Sequence, residues 1–481
     1  MQHKEPSHVK LAPCVLGLGS IVHLAPMRNQ QLLGLLIALL SCECLMQAQP
    51  QPGAVLWSYN SSSTVLGCPA LAADGTIYLG TASGLCAITN AGSNKWTFPA
   101  PQSYYCSPAI ATDGTIYWGD SSANVRAINP DGSQKWSFPL QAGVQYQINY
   151  ATSPAIGSDG TVYLVATGKL YALSPSGTKL WEFVIDSSSM PSGAHSPAIG
   201  SDGTIYVGAE SRRKFYAINP NGTEKWEFKT GSDCGDSAAI AANNTIYLTG
   251  GALFALSPDG TPQWAGPLTL GASPAVGADG TIYLASTADY SLYAIAPGGQ
   301  ILWNAGYGPS ALGFPTTVPA ISGDGMIYYS ASNSVFAISP QGAVQWIFSS
   351  PFTNVPPSRP TGVSPAVGPD GTIYAAFGNI LYALKGGTNG LATAPWPMYR
   401  QNLRHTGKVE KPSLAPPKRR ADANFDIQVA GEIGQAYSIQ STRDFLKWDF
   451  MTNFVATVLP MTVSDLTATN APTRFYRATT P

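Results

Sequence analysis

The sequence predicts an all-β protein: an eight-bladed β-propeller whose last blade is completed by an amino-terminal strand, followed by a small carboxyl-terminal domain of β-sandwich type. Three observations carry this expectation. One phrase recurs eight times between Trp57 and Leu384, about 42 residues apart, within the range of propeller blades. Gly and Pro number 49 and 39 in 481 residues, which disfavours long helices and suits short strands joined by tight turns. Finally, the eighth copy lacks its last strand, while the chain begins with an unattached copy of that strand.

The phrase is clearest in residues 196–228, SPAIGSDGTIYVG followed by FYAINPNGTEKWEF, and its pieces read as four strands in order. Its Pro (Pro69, Pro108, Pro154, Pro197, Pro274, Pro319, Pro365) cannot donate to a ladder, so the first strand belongs on an edge. The small Ala beside it suits the crowded innermost position around a channel. A turn follows, with Asp at 74, 113, 159, 202, 279, 324 and 370 and Asn243 in the fifth copy. Asp-Gly and Asn-Gly pairs supply the positive φ that tight hairpins require. Thr204-Ile205-Tyr206-Val207 and its relatives have the β-branched and aromatic residues of a buried second strand. The last strand carries Trp (Trp96, Trp136, Trp181, Trp226, Trp264, Trp303, Trp346), whose large apolar body suits the wide outer gap between blades. Leu381-Tyr382-Ala383-Leu384 ends without that Trp strand, and Val55-Leu56-Trp57-Ser58-Tyr59 supplies it. Closing the ring this way removes an open sheet edge.

At this point the repeat resembles the pyrroloquinoline-quinone-type propeller family, which includes quinoprotein dehydrogenases and non-catalytic envelope proteins such as the outer-membrane assembly lipoprotein BamB. Stretches such as Ala217 to Trp226 resemble that family's tryptophan-docking motif, which implies that Trp57 and the seven other Trp residues wedge between neighbouring blades. The dehydrogenase branch implies a quinone held over calcium by Glu, Asn and Asp, an Asp base and often two adjacent Cys. No Cys-Cys pair occurs here, and the many Asp residues fall at turn positions on the face opposite the usual ligand mouth. The resemblance therefore favours the BamB-like branch, with no cofactor, no metal and no catalytic residue assigned. Pyrroloquinoline quinone and calcium belong only to the alternative reading as a dehydrogenase; a polysaccharide-active enzyme is a further alternative.

Composition narrows the partners. Lys plus Arg number 26 against 27 Asp plus Glu, so the net charge of -1 offers no field to hold a nucleic acid. The 23 Tyr, 16 Phe and 11 Trp give ample surface to bury, which excludes a disordered chain. Any ligand site is expected on the loops joining each outer strand to the next inner strand, since these converge on one mouth. They carry Tyr104, Tyr105, Tyr146, Asn149, Tyr150, Asp186, His195, Asp233, Asp236, Phe314 and Arg359. Tyr and Arg suit recognition, although such residues also simply fill and solvate a mouth. His195 has no acid and nucleophile beside it in sequence, and Asp233 with Asp236 supplies too few ligands for calcium. Arg212-Arg213-Lys214 reads as a solvated basic spot.

The ends complete the reading. Residues 1–48 are an upstream extension and a secretory signal peptide, with a basic Arg28, an apolar run Leu32–Leu40 and cleavage near Ala48. Leu39-Leu40-Ser41-Cys42 also resembles a lipoprotein box, which would lipidate Cys42. The propeller spans 53–407 and ends on Pro395-Trp396-Pro397-Met398-Tyr399-Arg400 and His405-Thr406-Gly407, expected to pack against the ring. Pro-rich, basic 408–422 reads as a stiff linker, and 423–481 as the small β domain. Cys68, Cys86, Cys106 and Cys234 match no metal spacing and read as isolated thiols. The expected protein is an exported monomer in or outside the envelope, without a transmembrane helix after processing. It binds a protein, peptide or glycan and performs no catalysis.

Overall fold

A computed structural model describes the chain from Pro50 to Lys408, apart from segments 101–105, 121–123, 141–151, 187–194, 210–211, 233, 235–236, 267–272, 287–288, 290, 307–316, 332, 352–362, 388–389, 393, 395–396 and 403; beyond Lys408 it describes the strands. Eight antiparallel sheets of four strands succeed one another, numbered here in chain order. Their inner strands are Ala70–Leu71, Ala109–Ile110, Ala155–Ile156, Ala198–Ile199, Ala239–Ile240, Ala275–Val276, Ala320–Ile321 and Ala366–Val367. Their outer strands are Asn94–Pro99, Gln134–Pro139, Lys179–Val184, Glu224–Lys229, Pro262–Ala265, Ile301–Gly306, Val344–Ser349 and, in sheet 8, Val55–Asn60. That last strand pairs with Ile380–Leu384, with Ser58 opposite Tyr382 and Tyr59 opposite Leu381. The amino-terminal strand thus completes the final sheet as the sequence predicts.

Docking of the Trp residues joins the sheets into a closed cycle. Trp57 of sheet 8 donates its indole N–H to the Asn90 carbonyl of sheet 1 at 2.9 Å. Trp96, Trp136, Trp181, Trp226, Trp264 and Trp303 do the same to Pro130, Pro175, Pro220, Pro258, Pro297 and Pro340 at 2.8–2.9 Å. Trp346 of sheet 7 lies against Gly53, which precedes the outer strand of sheet 8. Each ring also packs on the second-strand Tyr of its own sheet, as Trp181 does on Tyr163 at 5.7 Å between centroids. The glycine beneath each indole admits no side chain: a Cβ on Gly222, whose φ is +86°, would lie 2.7 Å from Trp181.

The Asp turns are self-capped. The Asp74 carboxylate accepts the Thr76 amide and hydroxyl, both at 2.9 Å, and Lys95 lies 3.5 Å away. Burial pushes its carboxyl up, but the Thr76 hydrogen bonds and Lys95 outweigh it and hold the group below the usual value. In the fifth copy Asn243 caps Thr245, and Asn244 takes the positive φ otherwise given to Gly. These turns follow the inner strands, at the end opposite the outer-to-inner loops, as expected for structural Asp residues.

The carboxyl-terminal strands form two small sheets. Phe425–Ala430 pairs with Met461–Asp465, Ser413–Leu414 and Lys418–Arg419, and Ala436–Thr442 pairs with Asp449–Val455 and Phe475–Thr479. Val429, Ile439 and Val463 from both sheets share one apolar cluster. The stretch read as a linker therefore differs from expectation: Ser413–Leu414 and Lys418–Arg419 add strands to the domain, because the edges of Phe425–Ala430 need ladder partners.

Candidate functional site

The inner strands set up an unmet demand. In a ladder edge, alternate residues point both backbone groups to the same side. Ala of each Ser-Pro-Ala-Ile pairs with the Tyr of the second strand, so Pro and Ile face the axis. Pro has no N–H to lose there, but its carbonyl and the Ile N–H still need partners.

A strap from residues 390–408 meets that demand. The Ile321 amide donates to Pro397 O at 2.9 Å, and Ile110, Ile156 and Ile199 donate to Arg404 O, Thr406 O and Gly407 O at 2.7–2.9 Å. The strap thus bonds sheet 7 on one side and sheets 2, 3 and 4 on the other. Its side chains take the proline carbonyls. The Arg400 guanidinium donates to Pro154 O at 2.7 Å and to Pro197 O, while His405 Nδ1–H donates to Pro108 O at 3.1 Å. Arg400 is 1% exposed and His405 0%. The expectation that this segment packs against the ring holds, but its place is along the innermost edges.

Local geometry fixes the strap tightly. Arg400, Gln401 and His405 all have positive φ, rare for non-glycine residues and a sign of conformations imposed by surrounding contacts. Gly407 is also at positive φ, and a Cβ there would overlap the Arg400 guanidinium. Asn402 bonds Thr406 at 2.6 Å, and the Tyr399 ring meets His405 edge-on. Burial drives the His405 pKa down to about 3, helped by the Arg400 charge and opposed by the Pro108 bond, so the imidazole is neutral at physiological pH. Its Nε2 is buried and has no hydrogen-bond partner among the described residues.

At the mouth end, four of the Ser residues that precede Pro stitch neighbouring sheets together. Ser107, Ser153 and Ser196 hydroxyls accept the amides of Cys68, Ser107 and Ser153 at 2.8–3.1 Å, and Ser364 accepts that of Val318. Tyr399 OH joins this girdle at Ser153, 2.9 Å away. This role of the repeat serine went unread in the sequence, although its recurrence before Pro, at Ser107, Ser153, Ser196, Ser273 and Ser364, was the available signal.

Of the residues expected at the mouth, Tyr104, Tyr105, Tyr146, Asn149, Tyr150, Asp233, Asp236, Phe314 and Arg359 lie outside the described residues, as does Cys42. His195 is described. Its ring lies over Gly208 of sheet 4 beside Cys234, where a Cβ on Gly208 would be 3.1 Å from both side chains. Asp186 is buried at the end of sheet 3, its carboxylate 3.6 Å from Arg212, so part of the basic spot is paired with an acid. Cys86 and Cys106 are buried free thiols. Among the described residues, no three His, Cys, Asp or Glu side chains gather as a metal site.

A family model described as outer membrane protein assembly factor BamB matches residues 44–168, 166–265 and 249–390. The chain belongs to that family. Among solved structures, this BamB-family chain is similar to BamB from Moraxella catarrhalis, at 17% identity with a TM-score of 0.54, over 69% of this chain and 97% of that one. It also matches virginiamycin B lyase from Staphylococcus aureus (13%, TM-score 0.45, covering 68% and 98%) and the WD40 propeller domain of Doa1 (11%, TM-score 0.44, covering 69% and 95%). Comparison with curated proteins gives no match. The likeness to BamB shows the propeller fold.

Proposed function

We propose that this BamB-family propeller is an exported, non-catalytic scaffold that binds a protein, peptide or glycan through the loops at one mouth. Family membership supports a protein-binding scaffold at the coarse level. The single observation that carries the non-catalytic reading is the strap: Arg400, His405 and Tyr399 occupy the axial edges that would otherwise face a ligand in the channel. The described residues there offer a guanidinium, a neutral imidazole and a phenol. They include no carboxylate cluster for calcium, so they do not fit a quinone held over that ion. Binding then falls to the mouth, where loops leave the repeat pattern and surface chemistry is free to vary. Export rests on the amino-terminal run Leu32–Leu40 and its flanks. No helix among the described residues is long and apolar enough to cross a membrane.

Two measurements test this reading. The full chain is titrated with pyrroloquinoline quinone and calcium and assayed for dye-linked alcohol oxidation; no saturable binding and no turnover are expected, and turnover overturns the proposal. Tyrosine footprinting with and without envelope extract is expected to protect Tyr104, Tyr105, Tyr146 and Tyr150. Unchanged reactivity at all four removes the mouth as the binding surface.

A further inference from the structure

An antiparallel sheet that packs one face on a core normally turns polar residues to water on the other. In the carboxyl-terminal domain, the sheet of Phe425–Ala430 and Met461–Asp465 keeps this rule: Val429 and Val463 are buried, while Thr462 and Ser464 are exposed. Its companion sheet does not. There Ile439, with Ala478 opposite it on Phe475–Thr479, packs on Val429 and Val463. Alternate residues face the other way, and one row across the three strands reads Phe450, Gln440, Arg477, with Phe475 two residues from Arg477 on the same strand and the same side. Phe450 is 62% exposed and Phe475 38%, so two phenyl rings stand on the solvated face. Beside them the Arg477 Nε–H donates to Gln440 Oε1 at 2.7 Å, which holds the guanidinium and the amide in fixed relation.

We propose that this face of the carboxyl-terminal domain binds an acidic polysaccharide, a glycan whose sugars carry carboxylates. Spacing, charge and area select this occupant. Phe450 and Phe475 lie two strands and two residues apart, about 12 Å by strand geometry, which is the reach from one sugar ring to the next but one. A phenyl face is electronegative and stacks on the C–H face of a sugar ring. Across the row Phe450, Gln440 and Arg477 the charge is positive, and a guanidinium fork takes a carboxylate through two parallel hydrogen bonds. Its anchor is an uncharged amide, which orients the fork without cancelling that charge. A protein is the poorer occupant. Three strands about 4.8 Å apart and up to seven residues long offer roughly 350 Å², well short of the about 800 Å² that each partner buries in a standard protein interface.

The test runs the full chain in native gels containing polygalacturonate, alginate or hyaluronate, each beside its carboxyl-reduced form, and maps amide hydrogen exchange with the polymer that retards it most. Retardation by at least one acidic polymer is expected, with slowed exchange on Asp449–Val455 and Phe475–Thr479. Arg477→Gln is expected to weaken binding about tenfold or more, the worth of one charge-assisted pair, and carboxyl reduction of the polymer to do the same. Phe450→Ala is expected to weaken binding to every acidic polymer that the parent chain binds, and Thr462→Ala on the companion sheet to leave it unchanged. Exchange mapping of the unaltered chain stands whether or not the variants fold. No retardation by any acidic polymer, equal retardation by the reduced forms, or full binding by folded Phe450→Ala and Arg477→Gln overturns the proposal. Protection confined to the propeller overturns it as well and assigns the glycan to the channel mouth, while failure on this face leaves the mouth reading standing. A concentration-dependent dimer that Phe450→Ala abolishes, without polymer binding, assigns the face to a second copy and overturns it too.

Discussion

The inter-blade docking makes a quantitative prediction at Gly222. Replacing it with Ala imposes two separable costs. The positive φ of +86° is unfavourable for any residue with a Cβ, at about 1–2 kcal/mol. The new methyl would also lie 2.7 Å from Trp181 Cδ2 and 2.9 Å from its Cγ, overpacking worth about 1–3 kcal/mol. The sum is about 2–5 kcal/mol. The unfolding entropy of roughly 330 residues is near 0.7 kcal/mol per degree, so Tm should fall by about 3–7 °C. Gly231 provides the control, because its φ is +78° and a Cβ there meets nothing within 4 Å. Gly231→Ala should carry the backbone cost alone and lower Tm by about 1.5–3 °C. Differential scanning calorimetry on both variants isolates the packing contribution. Equal transition temperatures would refute the claim that the indole closes directly on the turn glycine.

Three further outcomes follow from the structure. His405 is neutral when folded, with a pKa of about 3 against 6.5 in the unfolded chain, so the unfolded state binds the extra proton between these values and stability falls as pH drops below 6.5. The loss is about 1.4 kcal/mol per pH unit, and urea titrations between pH 6.5 and 4.5 should show His405→Leu with a flatter slope than the parent. Burial pushes the Cys106 thiol up to about 12, so iodoacetamide at pH 8 followed by peptide mass spectrometry should label the half-buried Cys68 and spare Cys106 until urea is added. Trp57→Ala should cost about 3–5 kcal/mol in urea unfolding, since it empties the contact by which sheet 8 seats on sheet 1.

The ring was legible because its rules are local. Asp-Gly turns, the Ile-Tyr strands and the Trp at the far end each state their own geometry, and eight repetitions average out any irregular copy. Even the substitution of Asn243-Asn244 for Asp-Gly kept the cap and the positive φ. The strap obeyed no such rule. Nothing in RQNLRH announces a buried guanidinium, and positive φ at Arg400, Gln401 and His405 runs against what those residue types favour. One signal was present all the same. The amides of Ile110, Ile156, Ile199 and Ile321 all turn away from their own sheets toward the axis, so a segment rich in free carbonyls had to be found for them. The mouth was named from the sequence by topology alone, and of its candidates the described residues include only Asp186 and His195.

A propeller must manage three kinds of sheet edge, and this chain treats each differently. The terminal edge, beside Ile380–Leu384, is covered by residues from the other end of the chain, with Val55–Asn60 filling the missing register. The inner edges of sheets 2, 3, 4 and 7 are covered by the strap, whose partners are far apart in sequence. Its hydrogen bonds require four sheets to be in place at once, so the strap can dock only after most of the ring has assembled. Loop closure makes such long-range contacts late and entropically costly unless many form together. Arg400 and His405 satisfy that condition, because between them they engage the proline carbonyls of three successive sheets at a single crossing. Among the described residues, the outer strands of the eight sheets have ladder partners on one side only. They depend on individual side chains for protection, so their chemistry varies from sheet to sheet: Lys225 stands before Trp226 in sheet 4, and the uncharged Gln345 stands before Trp346 in sheet 7.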